Sequence, residues 1–210
     1  MNEIIRAIRA TLVLWVLVAV IYPFTMLAIG QGLFPNQANG SLIRNSQGQV
    51  VGSALIGQPF TSDRYFNSRP STTSYSTADP KKDDAGILKT GVSGASNLAP
   101  SNPVLLERVK GKSDPDPSKA ISGDLPRLQT AGITPTADMV YTSGSSLDPH
   151  ITPESAKAQI TRVAQSRKLQ PSQLETLIQQ NTDGRFLGIF GEDGVNVLKL
   201  NLAINALSPS

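Results

Sequence analysis

Val195–Ile204, VNVLKLNLAI, is the stretch on which the fold class turns. Leu198, Leu200, Leu202 and Ile204 recur with period 2, while Lys199, Asn201 and Asn205 take alternate positions. Successive side chains of an extended chain point to opposite faces, so the pattern predicts a strand buried on one face. Gly188, Gly191 and Gly194 punctuate the approach to it. Upstream the period changes. Thr152-Pro153-Glu154 reads as a helix start, and Ala156, Ile160, Val163 and Ala164 recur at helical spacing up to about Arg167. Ser172 with Glu175 forms a capping-box pattern for a second helix, with Leu174, Leu177 and Ile178 on its apolar face. Helices beside a half-buried strand predict an α+β domain, a small sheet packed by helices.

Further toward the N-terminus, Asn102–Lys112 reads as a helix with Pro103 at its first position and Val104, Leu105 and Val109 as the apolar face. Ser113–Pro135 is punctuated by Asp114-Pro115-Asp116-Pro117 and reads as a loop. Ser68–Pro103 is dense in Ser, Thr, Gly, Asn and Pro, a composition expected of a solvated linker or disorder. The alternative is a long loop ordered against a partner. Ser41–Phe60 predicts two short strands about an Asn-Ser-Gln-Gly turn, with Leu42, Ile43, Val50, Val51, Leu55 and Ile56 as core candidates.

The N-terminal end is of another kind. From Ala10 to Ile43 there is no charged residue, and ATLVLWVLVAVIYPFTMLAI, Ala10–Ile29, is overwhelmingly apolar. About 20 helical residues span roughly 30 Å, the thickness of a bilayer's hydrocarbon core. A cleavable secretory signal is the alternative, with small residues at Ala28-Ile29-Gly30, but signal cores run to only about 7–15 residues. We therefore expect a retained anchor over residues 10–32, kinked at Pro23 because proline removes a backbone hydrogen bond. Arg6 and Arg9 precede it and the next cation is Arg44. The positive-inside rule then keeps residues 1–9 in the cytoplasm and exports residues 33–210.

The chain has 210 residues, 19 basic against 16 acidic, one His and no Cys. Thiol catalysis, zinc-thiolate sites and disulfides are excluded. The cations are scattered, Lys81-Lys82 being followed at once by Asp83-Asp84, so there is no basic stripe for nucleic acid. One His and no carboxylates clustered at ligand spacing argue against a transition-metal site, and Asp114 and Asp116 read as solvated turn residues. No GxxxxGK[ST] or GxGxxG loop is present, which leaves SGAS at Ser93–Ser96 and SGSS at Ser143–Ser146 as weak phosphate-binding signals.

Thr142–Ile151, TSGSSLDPHI, gathers hydroxyls, Asp148 and His150. A nucleophilic site would need His150 within hydrogen-bond reach of a Ser such as Ser145, oriented by a third group. Pro149 holds Asp148 extended and separates the two, so a braced turn is the expected reading. On the residues alone a membrane-anchored hydrolase and a solute-binding or scaffolding ectodomain both stay open.

Five motifs taken in order resemble the C subunit family, KdpC, of the bacterial Kdp potassium-transporting P-type ATPase. They are GSALIGQPF (Gly52–Phe60), YFNSRPS (Tyr65–Ser71), SGASNLAPSNP (Ser93–Pro103), TSGSSLDPHITPESAKAQITRVAQSR (Thr142–Arg167) and TDGRFLGIFGEDGVNVLKLNLA (Thr182–Ala203). The chain departs from the family pattern at Ala95, Ala99, Ser101 and Ser146, with Gly expected at positions 95, 99 and 146. The resemblance implies a non-catalytic subunit of the bacterial inner membrane whose partners are a potassium channel-like subunit and a P-type ATP-hydrolysing subunit. It implies a catalytic chaperone that raises the ATP affinity of the latter, with no tightly bound cofactor of its own. It further implies nucleotide contact by Ser143, Gly144, Ser145 and Gln159, whereas the positive-inside rule places these residues opposite cytoplasmic ATP. Capping of the channel-like subunit's outer mouth would reconcile the two, with Tyr65, Phe66 and Arg69 as interface anchors and Asp148 and His150 bracing that surface.

Overall fold

The computed structural model describes residues 2–45, 47–76 and 92–207. The chain divides into two units, Met1–Ser53 and Ala54–Ser210. In the first, α1 (Asn2–Leu33) is a continuous helix of 32 residues whose most apolar 18-residue stretch has mean hydropathy 2.5, long and apolar enough to cross a membrane once. Just before Pro23, where a kink is expected, the helix widens to a π-helix over Leu17–Ile21, where the Tyr22 amide donates to the Leu17 carbonyl. Pro23 has no N–H and its ring crowds the preceding turn, so the extra residue relieves the clash. A short helix α2 (Pro35–Ala38) leads to the antiparallel pair β1 (Leu42–Arg44) and β2 (Val50–Ser53). Asn45 Oδ1 accepts from the Gln47 and Gln49 amides and shapes the predicted turn. The expected core residues of this stretch are not buried: Leu42, Val50, Leu55 and Ile56 are exposed, and Ile43 and Val51 half-buried. A two-stranded ribbon has no second layer to cover it.

The second unit is α+β. Its sheet has the order β3-β5-β4, with β5 (Gly194–Asn196) antiparallel to both β3 (His150–Ile151) and β4 (Thr182–Asp183). Helices α6 (Pro153–Ala158), α7 (Ile160–Arg167), α8 (Pro171–Gln180) and α9 (Val197–Leu207) cover it. Their core joins Ile151, Ala156, Ile160, Val163, Leu174, Ile178, Val195, Leu200 and Ile204 around Phe66. A second cluster, Leu105, Val109, Leu128, Ile133, Met139 and Val140, lies among α3 (Pro103–Lys110), α4 (Asp124–Thr130) and α5 (Ala137–Val140).

The predicted strand over Val195–Ile204 is corrected. Only its first two residues are extended; from Val197 the chain is helical, and Val197, Leu200, Asn201 and Ile204 are its inward face at helical spacing. Asn196 starts the helix, its Oδ1 accepting the Lys199 amide at 3.1 Å, a bond an N-cap asparagine makes readily. The single helix expected over residues 153–167 is broken at Gln159, although Thr152 caps it by accepting the Ser155 amide. Helix α8 begins at Pro171, one residue ahead of the expected Ser172 cap, and Gln173 Oε1 accepts the Gln170 amide. Val104 on α3 is exposed, leaving Leu105 and Val109 as the buried pair. The expected loop Ser113–Pro135 contains α4, since Pro126 in a first turn costs no intrahelical bond.

Candidate functional site

Tyr65–Ser71 runs between helices without joining a strand, and side chains serve its backbone. Four consecutive carbonyls each accept from a different side chain: Arg64 from Arg167 Nε at 2.9 Å, Tyr65 from Arg162 Nη2 at 2.9 Å, Phe66 from Asn201 Nδ2 at 2.9 Å and Asn67 from Gln159 Nε2 at 3.2 Å. The two carboxamides also accept, Asn201 Oδ1 from the Phe66 amide at 2.9 Å and Gln159 Oε1 from the Asn67 amide at 2.7 Å. Asn201 is 1 % and Gln159 0 % exposed, so each carboxamide acts as a buried one-residue strand partner. The Arg167 guanidinium lies over the Tyr65 ring at 4.7 Å, and the Tyr65 hydroxyl donates to Asn205 Oδ1. Phe66 is fully buried in the core, so of the expected aromatic anchors only Tyr65 retains surface.

Three hydroxyl-rich loops then interlock. Ser71 Oγ donates to the Ser146 carbonyl at 2.7 Å, and Ser146 Oγ accepts the Thr72 amide at 3.2 Å and lies 2.6 Å from Thr72 Oγ1. Thr72 Oγ1 donates to the Gly94 carbonyl, and the Gly94 amide donates to the Ser145 carbonyl. Ser146 is buried and keeps the left-handed backbone of a glycine, φ +57°. The linker expected over Ser68–Pro103 is corrected for the part described: residues 69, 71, 72, 93 and 94 bond to residues 145, 146 and 148 of the same chain, and 77–91 lie outside the described residues. Ser74, Tyr75 and Ser76 form a left-handed turn, φ +48°, +57° and +53°. It is held by Ser71 Oγ, which accepts the Tyr75 amide, and by the buried Tyr75, whose hydroxyl donates to the Arg69 carbonyl. Burial pushes the Tyr75 phenol up to about 12.

Ser143 is buried, and Ser145 Oγ accepts the Leu147 amide. Gly144 is exposed with open space around it. Gln159 is taken up by Asn67 and Arg162, and among the described residues no hydrogen bond joins it to the serines. The ring nitrogens of His150 face carboxylates, Nε2 3.1 Å from Asp183 and Nδ1 3.5 Å from Asp148. Among the described residues Ser145 is not one of its partners, so the Ser145–His150 bond that a nucleophilic pair would need is not formed here. Arg69 Nη1 donates to the other Asp148 oxygen at 3.3 Å. The His150 bond to Asp148 holds the imidazole above its ordinary value, against the opposing effect of burial. Burial would raise Asp148, yet its bonds from His150 and the Arg69 charge bring it below the usual carboxylate range. Asp138, buried under Thr152, Ser155 and Thr136, is also lowered by those donors despite the cost of burial.

Arg69, Asp148, His150 and Asp183 line a cleft of about 300 Å³ with Glu192 and Asp193. Among the described residues no cluster of three or more carboxylates and histidines is placed to hold a metal. Sequence reasoning did not reach Asn201, Arg162, Arg167 or Asp183, whose partners lie far along the chain. It also passed over the hairpin tip Phe186–Phe190, where Phe186, Leu187, Ile189 and Phe190 are each between 62 and 74 % exposed. The signal there was four large apolar residues between Gly184 and Gly191 with no polar alternation.

The family model described as "KdpC: K+-transporting ATPase, c chain" matches residues 4–206. The chain is 72 % identical over 203 residues to the potassium-transporting ATPase KdpC subunit of Microcystis aeruginosa, covering 97 % of this chain and 95 % of that one. It is 69 % identical over 209 residues to KdpC subunit 1 of a Nostoc species, covering 100 % and 98 %. With the KdpC subunit of Clostridium kluyveri it shares 44 % identity over 194 residues, covering 92 % and 89 %. A single apolar N-terminal helix, an α+β second unit and similarity along nearly the whole length agree: the chain belongs to the KdpC family of K+-transporting ATPase subunits.

Proposed function

We propose that this chain is a non-catalytic accessory subunit that helps assemble the ATPase and raises the ATP affinity of its ATP-hydrolysing subunit without touching ATP. Residues 1–9 are cytoplasmic, 10–32 span the membrane and 33–210 face outward, as the flanking Arg6 and Arg9 favour. The external domain seats on the channel-like subunit near its outer mouth, and the effect on ATP follows by linkage between conformations of the assembled complex. The observation that carries this reading is the fate of the residues that the resemblance assigns to nucleotide. Gln159 and Ser143 are buried, and the carboxamide of Gln159 is spent on the Asn67 backbone. A surface that acts through shape and docking needs such internal bracing; a nucleotide site needs the same groups free.

Gly144→Cys tests the topology in this cysteine-free chain, because position 144 is exposed and a side chain there meets nothing. A membrane-impermeant thiol reagent should label it in intact cells, while ATP titration of the complex should show a higher ATP KM when the subunit is omitted. Protection in intact cells with labelling of inside-out vesicles would overturn the orientation and favour direct nucleotide contact.

A further inference from the structure

We infer that the Phe186–Phe190 hairpin, with the acidic arm that follows it, is a docking tip for another polypeptide of the ATPase complex: an apolar socket bordered by a cationic side chain. This deepens the accessory-subunit reading and rests on it. The tip is preformed. The Phe186 amide donates to the Phe190 carbonyl at 2.8 Å and the Phe190 amide to the Phe186 carbonyl at 3.0 Å. Leu187 holds φ +54°, a conformation that disfavours a branched side chain on an otherwise unconstrained loop, and there it projects outward at 74 % exposure. Four large apolar side chains presented together on a rigid turn are the kind of patch that marks an interaction site, and preorganisation lowers the cost of burying them in a partner.

Charge selects the partner. Arg185 stands on one arm, while Glu192 and Asp193 follow the tip on the other and make no ion pair among the described residues. Charges of both signs flank the apolar residues, two acidic against one basic, and among the described residues none of the three is ion-paired. A tip entering a bilayer would bring those carboxylates against headgroups that are often anionic. A protein socket can set a cation against Glu192 and Asp193 and an acceptor against Arg185. The arms reach back to Asp183 and Gly194, and the His150 ring rests 3.2 Å from where a Cβ on Gly194 would stand. The tip is thereby fixed to the Arg69, Asp148, His150 cluster.

The test uses the assembled complex in membranes, with full-length chain carrying photoreactive p-benzoylphenylalanine in place of Phe190. Illumination should yield a covalent adduct with one other subunit of the ATPase, and the same probe at the exposed Val104 should not. Leu187→Ser and the double change Glu192→Lys with Asp193→Lys should each speed dissociation of this chain from complex tagged on a partner subunit by about tenfold or more, as loss of an interface anchor does. Adducts to lipid alone, adducts to a second copy of this chain, or unchanged dissociation would each overturn the inference. Failure of the wild-type chain to stay with the tagged complex would instead overturn the accessory-subunit reading.

Discussion

Replacing Asn201 with Leu would remove the clamp on Phe66 at nearly constant volume. Both bonds are 2.9 Å, Asn201 is 1 % exposed and Phe66 0 %, so water cannot take over either role. The Phe66 amide and carbonyl would both be left buried without a partner, at about 1–3 kcal/mol each. The leucine recovers part of this through its own apolar burial, leaving a net loss of about 2–4 kcal/mol. For a chain of this size that lowers Tm by about 4–16 °C. Thermal unfolding of full-length protein in detergent, followed by circular dichroism, measures it. Asn201→Asp should be worse, since it keeps the acceptor but sets a carboxylate against the Phe66 carbonyl. A leucine variant within about 0.5 kcal/mol of wild type would show that the carboxamide does not hold this segment, and the account of Gln159 on Asn67 would fall with it.

Two further perturbations probe the surroundings of Asp148. His150 is held above the ordinary 6.5 in the folded chain, so its stabilising contribution is full below 6.5 and is lost as pH rises through the elevated folded value. Tm should therefore fall from about pH 6 to about pH 8 more steeply in wild type than in His150→Gln, and the imidazole resonances should titrate above 6.5; a midpoint at or below 6.5 contradicts the bond to Asp148. At Gly57 an added Cβ would stand 2.5 Å from the Tyr75 ring and 2.9 Å from the Asp148 carbonyl oxygen. Gly57→Ala should cost about 1–3 kcal/mol by overpacking, and a neutral result in the same melts would mean that the ring does not lie on the backbone there.

The fold class was legible because helix α7 and the Thr152 cap follow rules that act over a few residues. Val195–Ile204 was misread because its apolar positions satisfy two periods at once: Leu198, Leu200, Leu202 and Ile204 fit period 2, while Val197, Leu200, Asn201 and Ile204 fit a helix. Asn196 was the available tie-break, a cap residue ahead of good helix formers. The serine-rich loops were misread for another reason. Composition registers that Ser71, Thr72 and Ser146 are polar, but not that their hydroxyls satisfy one another's backbone across 74 and 75 residues of chain. Ser146 also shows how a position expected to be glycine is filled: the left-handed backbone stays, and the added hydroxyl becomes the tie to Thr72. The braced-turn reading of Asp148 and His150 needed only local chemistry; Arg69 entered through the resemblance, but its bond to Asp148 and that of Asp183 to His150 were not legible, because the partners are 79 and 33 residues apart.

The carboxamide clamp also sets a timetable. Phe66 is synthesised 135 residues before the side chain that satisfies its backbone, and Asn67 92 residues before its own. At about 5–20 residues per second, Asn201 arrives roughly 7–27 s after Phe66. Until then the segment has no strand to pair with, and the core around Phe66 lacks its last helix. The second unit thus closes only when its C-terminal end is in place, a high-contact-order route that makes truncation near Asn201 a failure of folding for the whole unit rather than the loss of one helix.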